Sequence, residues 1–347
     1  MRPPTADEQI KFLVNLQRLL DEGSFVASYK FALLLALADL SIEHGSDSGA
    51  PLTVDTFAIA EKFVQYYWRQ AVPYPSPVNP RVLKQNTDRQ AAIVNAVLAA
   101  RSAYGDSLAA AMQDVTAWKR LVGKVARVVV VMPLWKLQTV GGERLDFLYA
   151  RTENVRAVEL RPGIAFCFRK FHALITDIVR GAWLRYVRQQ NLDVVGETAD
   201  LNEFLFSSER NNLAAVRPVL LDIQRGRCFY CERDIPLGLA HVDHFIAWSR
   251  YPTDLGHNFV LADDRCNGKK RDRLPAVEHL AHWTERNAEY GVQIADELTR
   301  RGVVTELAAS NQVTQWAYAQ AEAASALTWV RLDEMVPLTA GWRKLYA

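Results

Sequence analysis

Residues 228–272 hold three of the chain's four cysteines and three of its seven histidines. They read Cys-Phe-Tyr-Cys at 228–231, His-Val-Asp-His-Phe at 241–245 and His-Asn-Phe-Val-Leu-Ala-Asp-Asp-Arg-Cys-Asn-Gly-Lys-Lys-Arg-Asp at 257–272. A cluster this dense marks a compact metal-binding insert near residues 226–274. Two ligand sets are present in it. One consists of thiolates, suited to Zn²⁺, and the other of oxygen and imidazole groups, suited to a harder divalent ion.

The rest of the 347-residue chain reads as mainly α with a small central β element. Ile10, Leu13, Val14, Leu16 and Leu20 recur at helical spacing, and the Leu/Ala-rich run Tyr29–Leu40 predicts a buried helix. Another helix is predicted over Val54–Tyr67, with Thr53 as its N-cap. The proline-rich run 73–80 interrupts regular structure, as a linker or an ordered loop. Helices follow over about 88–101 and 106–122. Val128–Val131, Leu145–Tyr149 and Arg156–Leu160 are predicted strands, with a turn near Glu153-Asn154. Phe166–Gln190 reads as one long helix. Its Arg169, Lys170, Arg180, Arg185 and Arg188 form either a solvated face or a phosphate-tracking surface. Helices over about 212–224, 276–301 and 303–327 complete the pattern. The expected division is a mostly helical domain over residues 1–200, with a small sheet near 125–161 and no motif that reveals its ligand, and a second region over 210–347. The insert is the core of that region, and residues 275–347 form a helical extension.

Half of the residues are hydrophobic, enough to bury a core, and a formal net charge of +2 neither demands nor excludes nucleic acid. Four cysteines are too few for a disulfide scaffold. Cys167, in Ile-Ala-Phe-Cys-Phe, reads as a buried inert thiol. The longest apolar stretch, Phe31–Ala38, is too short to span a bilayer, and no apolar segment follows the N-terminal Met-Arg-Pro-Pro. A cytoplasmic protein with no membrane partner is expected.

Hydrolysis of a phosphodiester requires deprotonated water, stabilisation of charge on the phosphate and a Lewis acid at the leaving oxygen. His244 has the intrinsic acidity of a general base, and Asp243 offers a hard anionic oxygen to Mg²⁺ or Mn²⁺. Neighbours at a strand end can diverge, one towards the metal and one towards water. Asn267 offers a second, neutral oxygen. His241 shares the strand face of Asp243, as a further ligand or a structural residue. His257 reads as an exposed loop residue, while His172, His279 and His282 are assigned no chemistry.

The segment resembles the HNH endonuclease family, whose nuclease domain has a ββα-metal fold. Asp243-His244-Phe245-Ile246, the Asn-x-Val-Leu beginning at Asn258, Asn267 at the spacing found in RNA-guided nucleases, and Lys270 and Asp272 beyond it carry the likeness. It implies His244 as general base and Asp243 and Asn267 as ligands of a single catalytic divalent ion. It implies that Asn258 braces the loop and holds the base in place, and that the products carry 5′-phosphate and 3′-hydroxyl ends. HNH domains of this type often hold a structural zinc with two cysteine pairs. Here Cys228, Cys231 and Cys266 are present, but Asp263 stands where the fourth cysteine would be. A Cys₃Asp zinc site is chemically allowed; the alternatives are a weakly bound zinc, Asp264 or a water in the fourth position, or a zinc-free insert held by packing of Phe229 and Tyr230. Lys269, Lys270, Arg271 and Arg273 begin the α element, which in the family lies along the nucleic-acid backbone, and Arg227 and Arg250 can join them. The expected substrate is double-stranded DNA. Free-standing relatives resemble restriction and phage-defence nucleases, which would add protein partners of a defence system. The alternatives are an RNase using the same site and a nucleic-acid-binding zinc module with a vestigial one.

Overall fold

The computed structural model describes every residue except 77–79, 88–89, 151–155, 197–199, 207–209, 237 and 347, and only the backbone of 210–212. Two units pack as separate bodies, Met1–Asp106 with Ala111–Ser207, and Ser107–Ala110 with Ser208–Ala347. The elements up to residue 206 are α1 (Ala6–Glu22), α2 (Tyr29–His44), β1 (Leu52–Asp55), α3 (Thr56–Gln70), β2 (Pro73–Tyr74), β3 (Arg81–Val82), α4 (Ala92–Tyr104), α5 (Leu108–Gln113), α6 (Val115–Val131), α7 (Pro133–Lys136), β4 (Thr139–Val140), β5 (Glu143–Arg144), β6 (Ala157–Leu160), α8 (Ile164–Lys170), α9 (His172–Gln190) and α10 (Leu201–Phe206). The architecture is mainly helical. Among the described residues the strands pair only two by two, and no helix is long and apolar enough to cross a membrane.

In the first unit α2 is buried from Tyr29 to Glu43, which accounts for its continuous apolar run. Several expectations are corrected here. Val128–Val131 is the end of α6, not a strand: Trp118, Val122, Val125 and Val129 are buried at helical spacing, and this period overrides the β preference of a valine run. Leu145–Tyr149 forms no strand, although Tyr149 bridges Leu160, and β6 pairs instead with β1. The turn near Glu153-Asn154 lies outside the described residues. Asp55, not Thr53, caps α3, accepting the Phe57 amide, because Thr53 is taken up in β1. The proline-rich run is not wholly irregular, since β2 and β3 pair across it. The long helix over Phe166–Gln190 breaks at Phe171. Arg169 then reaches Asp47 and the carbonyls of Ser41 and Ile42, while His172 meets Asp39 of α2 at 2.8 Å.

The second unit continues with α11 (Arg210–Ile223), β7 (Ala240–His244), β8 (Phe259–Asp263), α12 (Asp264–Lys270), α13 (Val277–Arg300), α14 (Leu307–Ala323), β9 (Leu327–Arg331) and β10 (Glu334–Pro337). β7 and β8 are antiparallel, with Ala240 opposite Asp263 and His244 opposite Phe259. Val216 and Leu220 of α11, Ala240, Phe259 and Leu261 of the β pair, and Ile294 and Leu298 of α13 share one buried cluster. The β7–β8 pair is thus fixed by helices on its apolar face. The helix expected over 303–327 is the shorter α14, which ends at Ala323, and the β9–β10 hairpin follows it; Trp329, fully buried, anchors the hairpin.

Candidate metal centre and active site

Cys228 and Cys231 lie in a tight turn before β7. The Cys228 amide donates to the Arg233 carbonyl, the Glu232 amide donates to the Cys228 carbonyl, and Glu232 takes a φ of 59°. The Phe229 amide ties this turn to β8 by donating to the Leu261 carbonyl at 2.8 Å. Asp263, the last residue of β8, caps α12: its Oδ1 accepts the Cys266 amide at 2.8 Å and its Oδ2 accepts the Cys231 thiol at 3.0 Å. One ligand atom from each of Cys228, Cys231, Asp263 and Cys266 lies within 4.8 Å of the others. In a tetrahedral zinc site with Zn–S bonds of about 2.3 Å, ligand atoms are about 3.8 Å apart, so a contraction of about 1 Å closes the set. This Cys₃Asp group can hold a metal ion.

The electrostatics fit a cation. A hydrogen bond from the Cys266 thiol brings Cys228 down to about 7, despite its burial. Burial and the bond to Asp263 push Cys231 up to about 11, and the Cys228 partner with burial raises Cys266. Burial alone would raise Asp263, but hydrogen bonds from Cys231, the Cys266 amide and the other two thiols outweigh it and bring it to about 2. Three thiols crowd one carboxylate, an arrangement that a divalent ion would relieve by taking the thiol protons' place.

At the other end of β7, Asp243 and His244 are neighbours with different partners. Asp243 Oδ2 accepts the Tyr230 hydroxyl at 2.6 Å and lies 3.0 Å from the ammonium of Lys270. Burial and Asp243 hold the Tyr230 phenol well above its usual range, so it stays a donor. Asp243 Oδ1 has no hydrogen bond among the described residues. His244 Nε2 lies 2.9 Å from Oδ1 of the buried Asp254, and its ring packs edge-on against Trp248 and Phe259. A carboxylate only accepts, so Nε2 carries the hydrogen and Nδ1 keeps its lone pair. The Lys270 ammonium also donates to the His244 carbonyl at 2.8 Å, tying the two neighbours together from behind.

Asn258 is buried and clamps the chain after His244. Its Oδ1 accepts the Ile246 amide at 2.8 Å, its Nδ2 donates to the Ile246 carbonyl at 2.9 Å, and its own carbonyl accepts the Phe245 amide at 2.7 Å. Asn267 is half-buried on α12, and its side chain makes no hydrogen bond among the described residues. His241 is more than a third exposed and lies 3.4 Å from Asp264, apart from these groups.

Two expectations need correction. Lys270 cannot touch a nucleic-acid backbone as expected, since its side chain is fully buried and committed to Asp243 and His244. Of the other three, Arg271 is exposed, Lys269 pairs with Asp333, and Arg273 is half-buried against the Lys269 carbonyl. His257 is not an exposed loop residue. It is buried in the single turn Gly256–Asn258, its Nε2 donates to the Gly291 carbonyl, and its own carbonyl accepts Trp283 and Arg286 of α13. Gly256 lets this turn lie close to Thr305 and Leu298, because a Cβ there would stand 2.6 Å from the Thr305 methyl group.

Sequence reasoning missed Asp254 and Tyr230 as partners of the site. Asp254 sits in a loop without periodicity, so no signal marks it. Tyr230 lies inside Cys-x-x-Cys, where its aromatic character suggests only packing. No protein family, curated protein or solved structure matches this chain.

Proposed function

We propose that this protein is a metal-dependent endonuclease of HNH type that hydrolyses phosphodiester bonds in DNA, with a structural zinc in its Cys₃Asp group. The observation that carries the proposal is the pairing of Asp243 and His244 at the end of β7, each with a committed partner, in front of a turn that Asn258 clamps. Bound at Asp243 and Asn267, Mg²⁺ or Mn²⁺ would stabilise charge growing on the phosphate and the leaving oxygen. Asp243 Oδ1 and the Asn267 amide oxygen are the available hard donors, and Tyr230 and Lys270 fix Asp243 in orientation. His244 takes the proton of the attacking water at Nδ1, because Nε2 is committed to Asp254. That carboxylate holds the ring and offsets the positive charge the proton brings. Asn258 keeps the base in place through Ile246, and Arg271, exposed just beyond α12, is available for backbone contact. A role in phage defence rests on the family likeness alone.

The test is cleavage of plasmid DNA and of structured RNA with Mg²⁺ or Mn²⁺, with and without chelator, by the native protein and His244→Ala. Metal-dependent cleavage that His244→Ala loses, with folding and DNA binding kept, supports the proposal. Cleavage of RNA alone would make the protein an RNase with the same site. Full activity of His244→Ala would remove the base, and binding without any cleavage would leave a nucleic-acid-binding zinc module.

A further inference from the structure

Among the described residues the first unit has four lysines and arginines that are buried: Lys30, Lys62, Arg101 and Arg169. Three have carboxylate partners, Lys62 with Glu43 at 2.6 Å, Arg169 with Asp47 at 2.7 Å, and Arg101 with Asp106. Lys30 has none among the described residues. Its ammonium stands 5.3 Å from the centre of the Phe25 ring, which attracts a cation but does not neutralise it. A buried ammonium without a counter-charge destabilises a fold, so most are paired.

Lys30 lines a cavity of about 460 Å³ in this unit, the size of a small-ligand site. Tyr29 and Lys30 of α2 form one side. Pro133 and Lys136 of α7 form another, and Val26 and Met132, both exposed, form an apolar rim. The Tyr29 hydroxyl accepts the Ile93 amide at the start of α4. Lys136 is a second ammonium at the same cavity, and burial together with Lys136 lowers the Lys30 amine to about 8. Two cations with no acid beside them among the described residues, set in apolar walls, are complementary to a ligand that is anionic at one end and apolar along its body.

We propose that this cavity binds a small organic anion, a single carboxylate or phosphate on an apolar or aromatic body, with Lys30 as its buried counter-charge and Lys136 at its mouth. The site lies in a unit for which sequence reasoning finds no ligand, and the inference stands whether or not the second unit is a nuclease.

The experiment is calorimetric titration of the full chain with octanoate, octyl phosphate and 1-octanol, which share one apolar body and differ in the head. At least one anion is expected to bind saturably, one per chain, and at least tenfold tighter than octanol; the two anions together decide between carboxylate and phosphate. Lys30→Met keeps the apolar stem, so its melting temperature should be equal or higher while the preference for the anion disappears. Lys136→Met, at an exposed position where folding is not at stake, should weaken the anion severalfold and leave octanol unchanged. The proposal is overturned if neither anion binds the native protein, if octanol binds as tightly, or if both variants keep the native preference.

Discussion

Asn258→Ala tests the turn behind the proposed base, independently of any nuclease assay. Its side chain satisfies both the amide and the carbonyl of Ile246, a residue with no exposure, while Asn258 itself is 6% exposed. Each buried group left without a partner costs about 1–3 kcal/mol, which brackets the loss at about 2–6 kcal/mol. The space freed by truncation admits a water able to serve one of the two groups, so the lower half, about 2–4 kcal/mol, is expected. Native-state hydrogen exchange at the Ile246 amide reads this directly, since each 1.4 kcal/mol is about a tenfold loss of protection and the expected loss is about 30- to 1000-fold. Asn258→Asp is the control. It keeps the acceptor for the amide but sets a carboxylate against the Ile246 carbonyl, so at neutral pH it should be at least as damaging. Protection should partly return in acid, once a protonated carboxyl can donate. If Ile246 protection falls less than tenfold in Asn258→Ala while the fold is intact, the clamp does not hold this turn.

Three further outcomes follow. Asp254→Asn should slow cleavage about 10- to 100-fold with melting temperature and DNA affinity unchanged, as measured in single turnover, because the ring of His244 loses a charged orienting partner. Lys270→Met leaves the carboxylate of Asp243 without its cation and should destabilise the second unit by about 3–5 kcal/mol; the double variant with Asp243→Asn should recover most of this in chemical denaturation. Burial lowers His257 and His279 below their ordinary value of 6.5, so the unfolded chain binds more protons than the folded one as the pH falls; stability is full above about 6.5 and drops below it, and His257→Gln should reduce the slope of melting temperature against pH between about 6.5 and 5.

The sequence is most legible where one local rule governs. The apolar period of α1 and of α13 places both helices, and the cysteine spacing together with Asp263 identifies the ligand group that the structure brings within 4.8 Å. It fails where distant packing decides. Val128–Val131 has the composition of a strand, yet only its helical period matters once α6 packs, and the break at Phe171 answers to Asp39 and Asp47 on other segments. Lys270 shows the same limit at the site. In sequence it belongs to a basic run, and nothing local says that Asp243, 27 positions earlier, draws it inside. His257 fails likewise, because its burial is created by Trp283 and Arg286 on a helix not yet formed when the loop is read alone.

The Cys₃Asp group and the proposed base are joined by α12. Asp263 caps the start of that helix and accepts Cys231, while Lys270 at its last position holds Asp243 and the His244 carbonyl. Seven residues at about 1.5 Å each make a strut about 10 Å long, too short to bend. Where the cysteine turn sets the beginning of α12 therefore decides where the Lys270 ammonium ends. No ligand of the first group touches Asp243, yet removing its metal should loosen the Asp243 carboxylate. Native protein stripped of zinc, with the stripping confirmed by elemental analysis, is expected to cleave at least tenfold more slowly at fixed Mg²⁺ and to require more Mg²⁺. Zinc should restore the native protein but not Cys228→Ser. The core formed by Val216, Leu220, Ile294 and Leu298 on α11 and α13 contains none of the four ligands, so helical circular dichroism should change little. Unchanged cleavage by zinc-free protein would show that α12 finds its place without the cysteines, and the mechanical link would be wrong.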